Sequence, residues 1–132
     1  MFTLTGDEGE LVSSSDAQEL IQPFQKREKK SKSQKKNLVH AEFFGINVFR
    51  KLIDECGEGC VGFRVYYGTR SEDHSGIQPV IGSGKNTSRL VIVPVDSKGN
   101  DILKDEKPAE RGLVAAKKAM VGGPVCPPMC GG

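Results

Sequence analysis

Two local cysteine pairs limit what this chain can fold into more than any other feature. Cys56 and Cys60 frame C-G-E-G-C, and Cys126 and Cys130 frame C-P-P-M-C near the end. Each pair has three residues between its thiols, with Gly or Pro filling the gap. Four thiols in two pairs suit one tetrahedral metal site, with zinc as the ion, or a disulfide framework. The third reading is four small side chains that merely pack. The linked readings bring the two pairs together in space and fasten the C-terminal tail to the middle of the chain; a bridge within one pair is the alternative, if a turn brings its two Cα atoms within about 7 Å. The N-terminal stretch M-F-T-L-T-G-D-E-G-E has no basic n-region and no apolar h-region, so no secretory signal is read. That makes the cytoplasm the default expectation, where thiols stay reduced and paired cysteines more often mean metal or redox chemistry. The spacing argues the other way. Structural zinc sites favour two residues between ligands, and neither the C-x-x-C redox motif nor the histidine of a haem attachment motif is present.

The core is thin. Only 36% of the 132 residues are hydrophobic, and tryptophan is absent. Small domains bury a smaller share of their surface, so such a chain gains from tethers or partners. No stretch approaches the roughly 20 apolar residues that cross a bilayer. Charge is unevenly placed. Residues 26–36, K-R-E-K-K-S-K-S-Q-K-K, hold seven basic residues and one Glu, a local +6 in a chain of net charge +2. Lys26, Arg27, Lys29, Lys30, Lys32, Lys35 and Lys36 are therefore the candidate contacts for an anionic partner. No aromatic residue interrupts the run, so base stacking is not suggested.

Hydrophobic spacing predicts a small α+β fold. An arm covers residues 1–13. Ser15-x-x-Gln18 reads as a capping box for a short helix with Ala17, Leu20, Ile21 and Phe24 on one face, interrupted by Pro23. A stronger helix is predicted from Leu38 to Glu55, with Phe43, Ile46, Phe49 and Ile53 as its main stripe and Phe44, Val48 and Leu52 on a second face. Gly57 and Gly59 end it. The alternation of V-G-F-R-V-Y-Y-G predicts a strand over 61–68, with Val61, Phe63, Val65 and Tyr67 turned inward. R-L-V-I-V-P-V predicts a second strand over 89–95, apolar on both faces, with Pro94 confined to an edge or end. Residues 69–88 read as a long loop, 96–101 as a turn, and Ile102-Leu103 as the start of a third short strand. A last helix is predicted from Pro108, with Leu113, Ala116 and Met120 as its stripe. The expected architecture is a two- or three-stranded antiparallel sheet with helices on one face. It divides into an N-terminal arm, short helix and basic segment (1–37), an α+β core (38–123) and a cysteine-containing tail (124–132).

No catalytic signature emerges. I-G-S-G-K-N-T misses the phosphate-loop pattern twice, at Pro79 and at Asn86. His40 with Glu42, and His74 with Glu72 and Asp73, are titratable groups without an evident nucleophile. Arg64 and Tyr66 on the outer strand face are the sparse elements of a stacking platform. D-S-K-G-N-D lacks the calcium-loop pattern and reads as a hairpin turn.

H-A-E-F-F-G at 40–45, G-C-V-G-F-R-V-Y-Y-G at 59–68, L-V-I-V-P-V-D-S-K-G-N-D at 90–101 and C-P-P-M-C at 126–130 together resemble short uncharacterised bacterial proteins of the Bacteroidetes type. The resemblance covers about the last two-thirds of the chain. It implies no activity and no cofactor, only that Cys60 and the C-P-P-x-C tail belong to a shared design. The residues point to a non-enzymatic structural or assembly module whose partner is a second copy of itself. A small nucleic-acid-binding or regulatory protein using residues 26–36 is the alternative.

Overall fold

The computed structural model describes residues 2–30, 36–102 and 119–127. It is a small α+β protein. In chain order the elements are α1 (Ser14–Lys30), β1 (Lys36–Asn37), β2 (Ala41–Glu42), α2 (Ile46–Glu55), β3 (Cys60–Asp73), β4 (Val80–Ile81), β5 (Lys85–Asp96) and β6 (Val125–Cys126). One sheet has the order β1-β5-β3-β4, and a second pairs β2 with β6. β3 with β4 and β2 with β6 are antiparallel, while β1 adds to β5 in parallel through Lys36↔Asn86 and Asn37↔Thr87. The chain divides into two compact units. One holds residues 1–8, 44–66 and 90–122; the other holds 9–43, 67–89 and 123–132.

The first unit carries the apolar core. Leu52, Ile92 and Met120 are buried together, with Phe44, Phe49 and Phe63 packed against them. The Phe44 and Phe49 rings meet edge to face at 6.3 Å, the arrangement aromatic quadrupoles prefer. Ile92, Val93, Pro94 and Val95 are buried in succession, as the two-sided apolar reading of this strand requires. Pro94 lies two residues before the end of β5, and its carbonyl accepts the Ile102 N–H at 2.8 Å. Asp96 closes the following turn by accepting the N–H groups of Lys98 and Asn100, both at 2.9 Å. Those bonds hold its carboxyl below the usual range, Asn100 first. Gly99, at φ +89°, supplies the left-handed residue that the turn needs.

Three predicted elements are displaced. The second helix starts at Ile46 rather than Leu38, because Gly45 is its extended N-cap and residues 41–42 are taken up in β2. Its buried side is Leu52 with Cys56, while Ile46, Val48 and Ile53 are exposed. Leu52 and Phe44 of the second face, with Phe49 of the main stripe, are thus the residues on the core. β3 runs on to Asp73 and β5 begins at Lys85, so most of the expected 69–88 loop is strand. Along β3, Val65 and Tyr67 are exposed, against the inward face that alternation suggested. The helix expected from Pro108 lies outside the described residues over 108–118. Near its far end Met120 is extended, exchanging backbone bonds with Ile92 at 3.0 and 2.9 Å.

In the second unit, α1 starts two residues before the predicted box. Ser13 is the N-cap, its Oγ accepting the Asp16 N–H at 3.1 Å. The helix continues through Pro23 for 17 residues. β6 lies against β2 with Ala41↔Cys126 and Glu42↔Val125 in register. Gly123 passes so close to Phe43 that a Cβ there would sit 2.8 Å from the Phe43 carbonyl carbon, closer than real atoms approach.

Core deletion tests the helix register. Leu52→Ala should cost about 2–4 kcal/mol by urea unfolding, and Ile53→Ala less than about 1 kcal/mol. The reverse order would restore the originally expected stripe.

Candidate functional site

The second unit is organised around charge rather than hydrocarbon. Glu72 near the end of β3 is fully buried, and Arg89 on β5 is 6% exposed. Arg89 donates from Nε and Nη2 to the two Glu72 oxygens at 2.7 and 2.8 Å, a bidentate pair. Its Nη1 donates to Glu42 at 3.0 Å and to the Gly123 carbonyl. Glu42 in turn accepts the Gly123 N–H at 3.0 Å. Glu72 also takes the Arg70 Nε at 2.8 Å and stands 2.9 Å from His74 Nε2. Asn37 Nδ2 donates to the Glu72 carbonyl at 3.1 Å and to the buried Thr87 Oγ1 at 2.5 Å. β1, β2, β3, β5 and the residue Gly123 thus converge on one ionic cluster.

Alternation explains which side chains reach it. Arg70 and Glu72 lie two apart and project from one side of β3, as Thr87 and Arg89 do on β5, with His74 just past the end of β3. Gly84, at φ +94°, lets the chain re-enter β5 beside β3; a Cβ there would lie 2.7 Å from the Glu72 carbonyl carbon.

Saturation decides what the cluster can do. Hydrogen bonds from Arg89, then from His74 and Arg70, hold the Glu72 carboxyl down to about 2 against the penalty of burial. An acceptor so fully occupied is not placed to take a proton from a substrate. The same pairing raises the Arg89 guanidinium above its ordinary range. This is a structural clamp.

The other sequence candidates separate. Arg64 and Tyr66 are not a free stacking platform, because both bind Asp101: Arg64 at 2.6 Å, with a further bond to the Gly99 carbonyl at 3.2 Å, and Tyr66 through its hydroxyl. Neither Cys56 nor Cys60 is in a disulfide. Cys56 donates to the Ile53 carbonyl at 3.0 Å, and Cys60 lies 3.4 Å from the Gly62 carbonyl. Cys126 is disulfide-bonded, and its partner is neither Cys56 nor Cys60. The expected bridge between the two pairs is corrected to that extent, and Cys130 lies outside the described residues. A disulfide sulfur is not a thiolate ligand. Among the described residues, no group of three or more His, Cys, Asp or Glu is placed to hold a metal ion, and no helix is long and apolar enough to cross a membrane.

Lys26, Arg27, Lys29 and Lys30 occupy the exposed end of α1. Lys32 and Lys35 lie outside the described residues, and Lys36 opens β1. The apolar row of α1, expected as one helix face, lies at the surface. No α1 residue is buried. Leu20 is 74% exposed, Ile21 44% and Phe24 40%, with the Arg27 guanidinium 5.5 Å from the Phe24 ring centre.

Comparison with protein-family models, curated proteins and solved structures finds no match for the chain.

Removing one member of the clamp should be costly. Arg89→Leu leaves Glu72 and Glu42 without their shared cation, a loss on the order of 3–5 kcal/mol in thermal or urea unfolding. The pH dependence follows from a carboxyl held lower in the folded than in the unfolded chain. Its stabilisation is complete above the unfolded value near 4.5, and it is lost as pH falls from there toward about 2. Glu72→Gln should flatten that acid limb; an unchanged limb would assign acid unfolding to other carboxylates.

Proposed function

We propose that this protein is a non-enzymatic structural module that self-associates through α1. The observation that carries the reading is the exposed row Leu20, Ile21 and Phe24 on a 17-residue helix that buries nothing. Apolar side chains aligned on one helix face gain free energy only by leaving water. Buried fully, each contributes about 1.5–3 kcal/mol. The N-terminal arm is a poorer donor, since Leu4 N–H is already bonded to the Ser97 carbonyl of its own unit at 2.9 Å.

Size-exclusion chromatography with light scattering tests the proposal on the full chain. Wild type should gain mass between low and high micromolar concentration, and Leu20→Glu or Phe24→Glu should remain monomeric while keeping the melting temperature that wild type shows at low concentration, where it too is monomeric. Strictly monomeric wild type at high micromolar concentration contradicts the reading.

The second reading is binding to a nucleic acid backbone. It rests on the four basic side chains crowded onto the exposed end of α1. Labelled DNA and RNA should then be retained at low salt and released as salt rises. Charge reversal of Lys26, Lys29 and Lys30 should abolish retention without unfolding the chain. No retention at low salt removes this reading.

A further inference from the structure

We propose that the partner of α1 is α1 of a second copy, running antiparallel, with Asp16 of each chain paired to Arg27 of the other. The inference rests on the self-association reading and adds the geometry of the contact.

Charge along α1 is segregated. Asp16 and Glu19 lie in its first half, and Lys26, Arg27, Lys29 and Lys30 in its last turns. Asp16 and Arg27 are eleven residues apart, so at 100° per residue they differ by about 20° around the axis and sit on the same flank of the apolar row. The rise between them is about 16 Å, too far for a bond within one helix. When two identical helices pack antiparallel, equal flanks face each other, so each Asp16 meets the partner's Arg27. Gln18 and Gln25 lie on the opposite flank and share the same midpoint, between Ile21 and Gln22. The same pairing therefore sets amide against amide there. Leu20 and Ile21 fall beside the two-fold axis, with Ala17 toward the partner's Phe24.

Parallel pairing does the opposite. It sets opposite flanks together, so Asp16 meets Gln18 and Arg27 meets Gln25 of the second copy and no opposite charges pair, while the basic ends gather at one end where like charges destabilise. Antiparallel helices also oppose their macrodipoles. An anionic lipid surface is the competing occupant, but lying on it would set Asp16, on the flank of the apolar row, beside the anionic headgroups. Ser13 and Glu28 bound the row, so the interface is short and its association concentration-dependent.

Sedimentation equilibrium of the full chain at low salt, with Asp16→Lys, Arg27→Glu and the double variant, tests the pairing. Each single reversal should weaken dimerisation about three- to tenfold, and the double variant should return to within about twofold of wild type. The helix dipole alone predicts a different ranking, because both reversals oppose it and the double variant would be the worst of the three. Far-UV circular dichroism at a concentration below dimerisation reads that helical effect separately. Dimers that resist both reversals yet dissociate with Leu20→Glu overturn the antiparallel geometry and leave self-association through α1 standing. Wild type that stays monomeric overturns both. A monomer that sediments with phosphatidylserine vesicles, and loses this with Leu20→Glu, assigns the face to lipid and also overturns the pairing.

Discussion

Arg89 is the interaction on which the second unit depends. It sits between Glu72 and Glu42, carboxylates from two different strands, and also holds the Gly123 carbonyl. Removing these charges from water is expensive, and their mutual attraction offsets that only when every donor and acceptor is used. The planar guanidinium meets this condition with two bonds to Glu72, one to Glu42 and one to a carbonyl, which an ammonium on a flexible stem cannot match. Such a cluster also fixes register. A slip of one residue between β3 and β5 would turn Glu72 and Arg89 to opposite faces. The apolar share of this chain is too small for hydrocarbon alone to specify both units, so charge takes over the ordering where hydrocarbon is missing.

Sequence patterns disclosed the parts stabilised by local or apolar effects. The run I-V-P-V is buried residue after residue, and Gly57 closes α2 at φ +90° as a helix end requires. Patterns failed where distant polar contacts override local preference. H-A-E-F-F-G reads as helical, yet Glu42 is held by Arg89, 47 residues away, and its backbone pairs with β6. T-R-S-E-D reads as loop because it is polar, but Glu72 within it is held by Arg89 of the neighbouring strand, a partner that only the folded sheet supplies. The buried face of α2 shifted for the same reason. Once Gly45 sets the start, Leu52 faces Ile92, and Ile53 does not.

The cysteines illustrate a limit of spacing as evidence. Two matching C-x-x-x-C pairs suggest one joint site, whereas Cys126 is in a disulfide and Cys56 and Cys60 are not. Cys56 ends a helix and Cys60 opens a strand, so one pair is explained by local packing without reference to the other. The α1 face was legible as periodicity but not as a surface, because periodicity does not state what covers a stripe. An isolated helix of this length is marginal in water, and Pro23 removes one of its backbone bonds. In the proposed assembly, contact along the apolar row supplies that stability and ties the fold of α1 to self-association.

Hydrogen–deuterium exchange of the intact chain at low and at high micromolar concentration tests that central claim most directly. Amides of residues 14–30 should become more protected as concentration rises, while those of β5 around Ile92 and Val93 stay constant. Equal exchange in α1 at both concentrations would contradict the account.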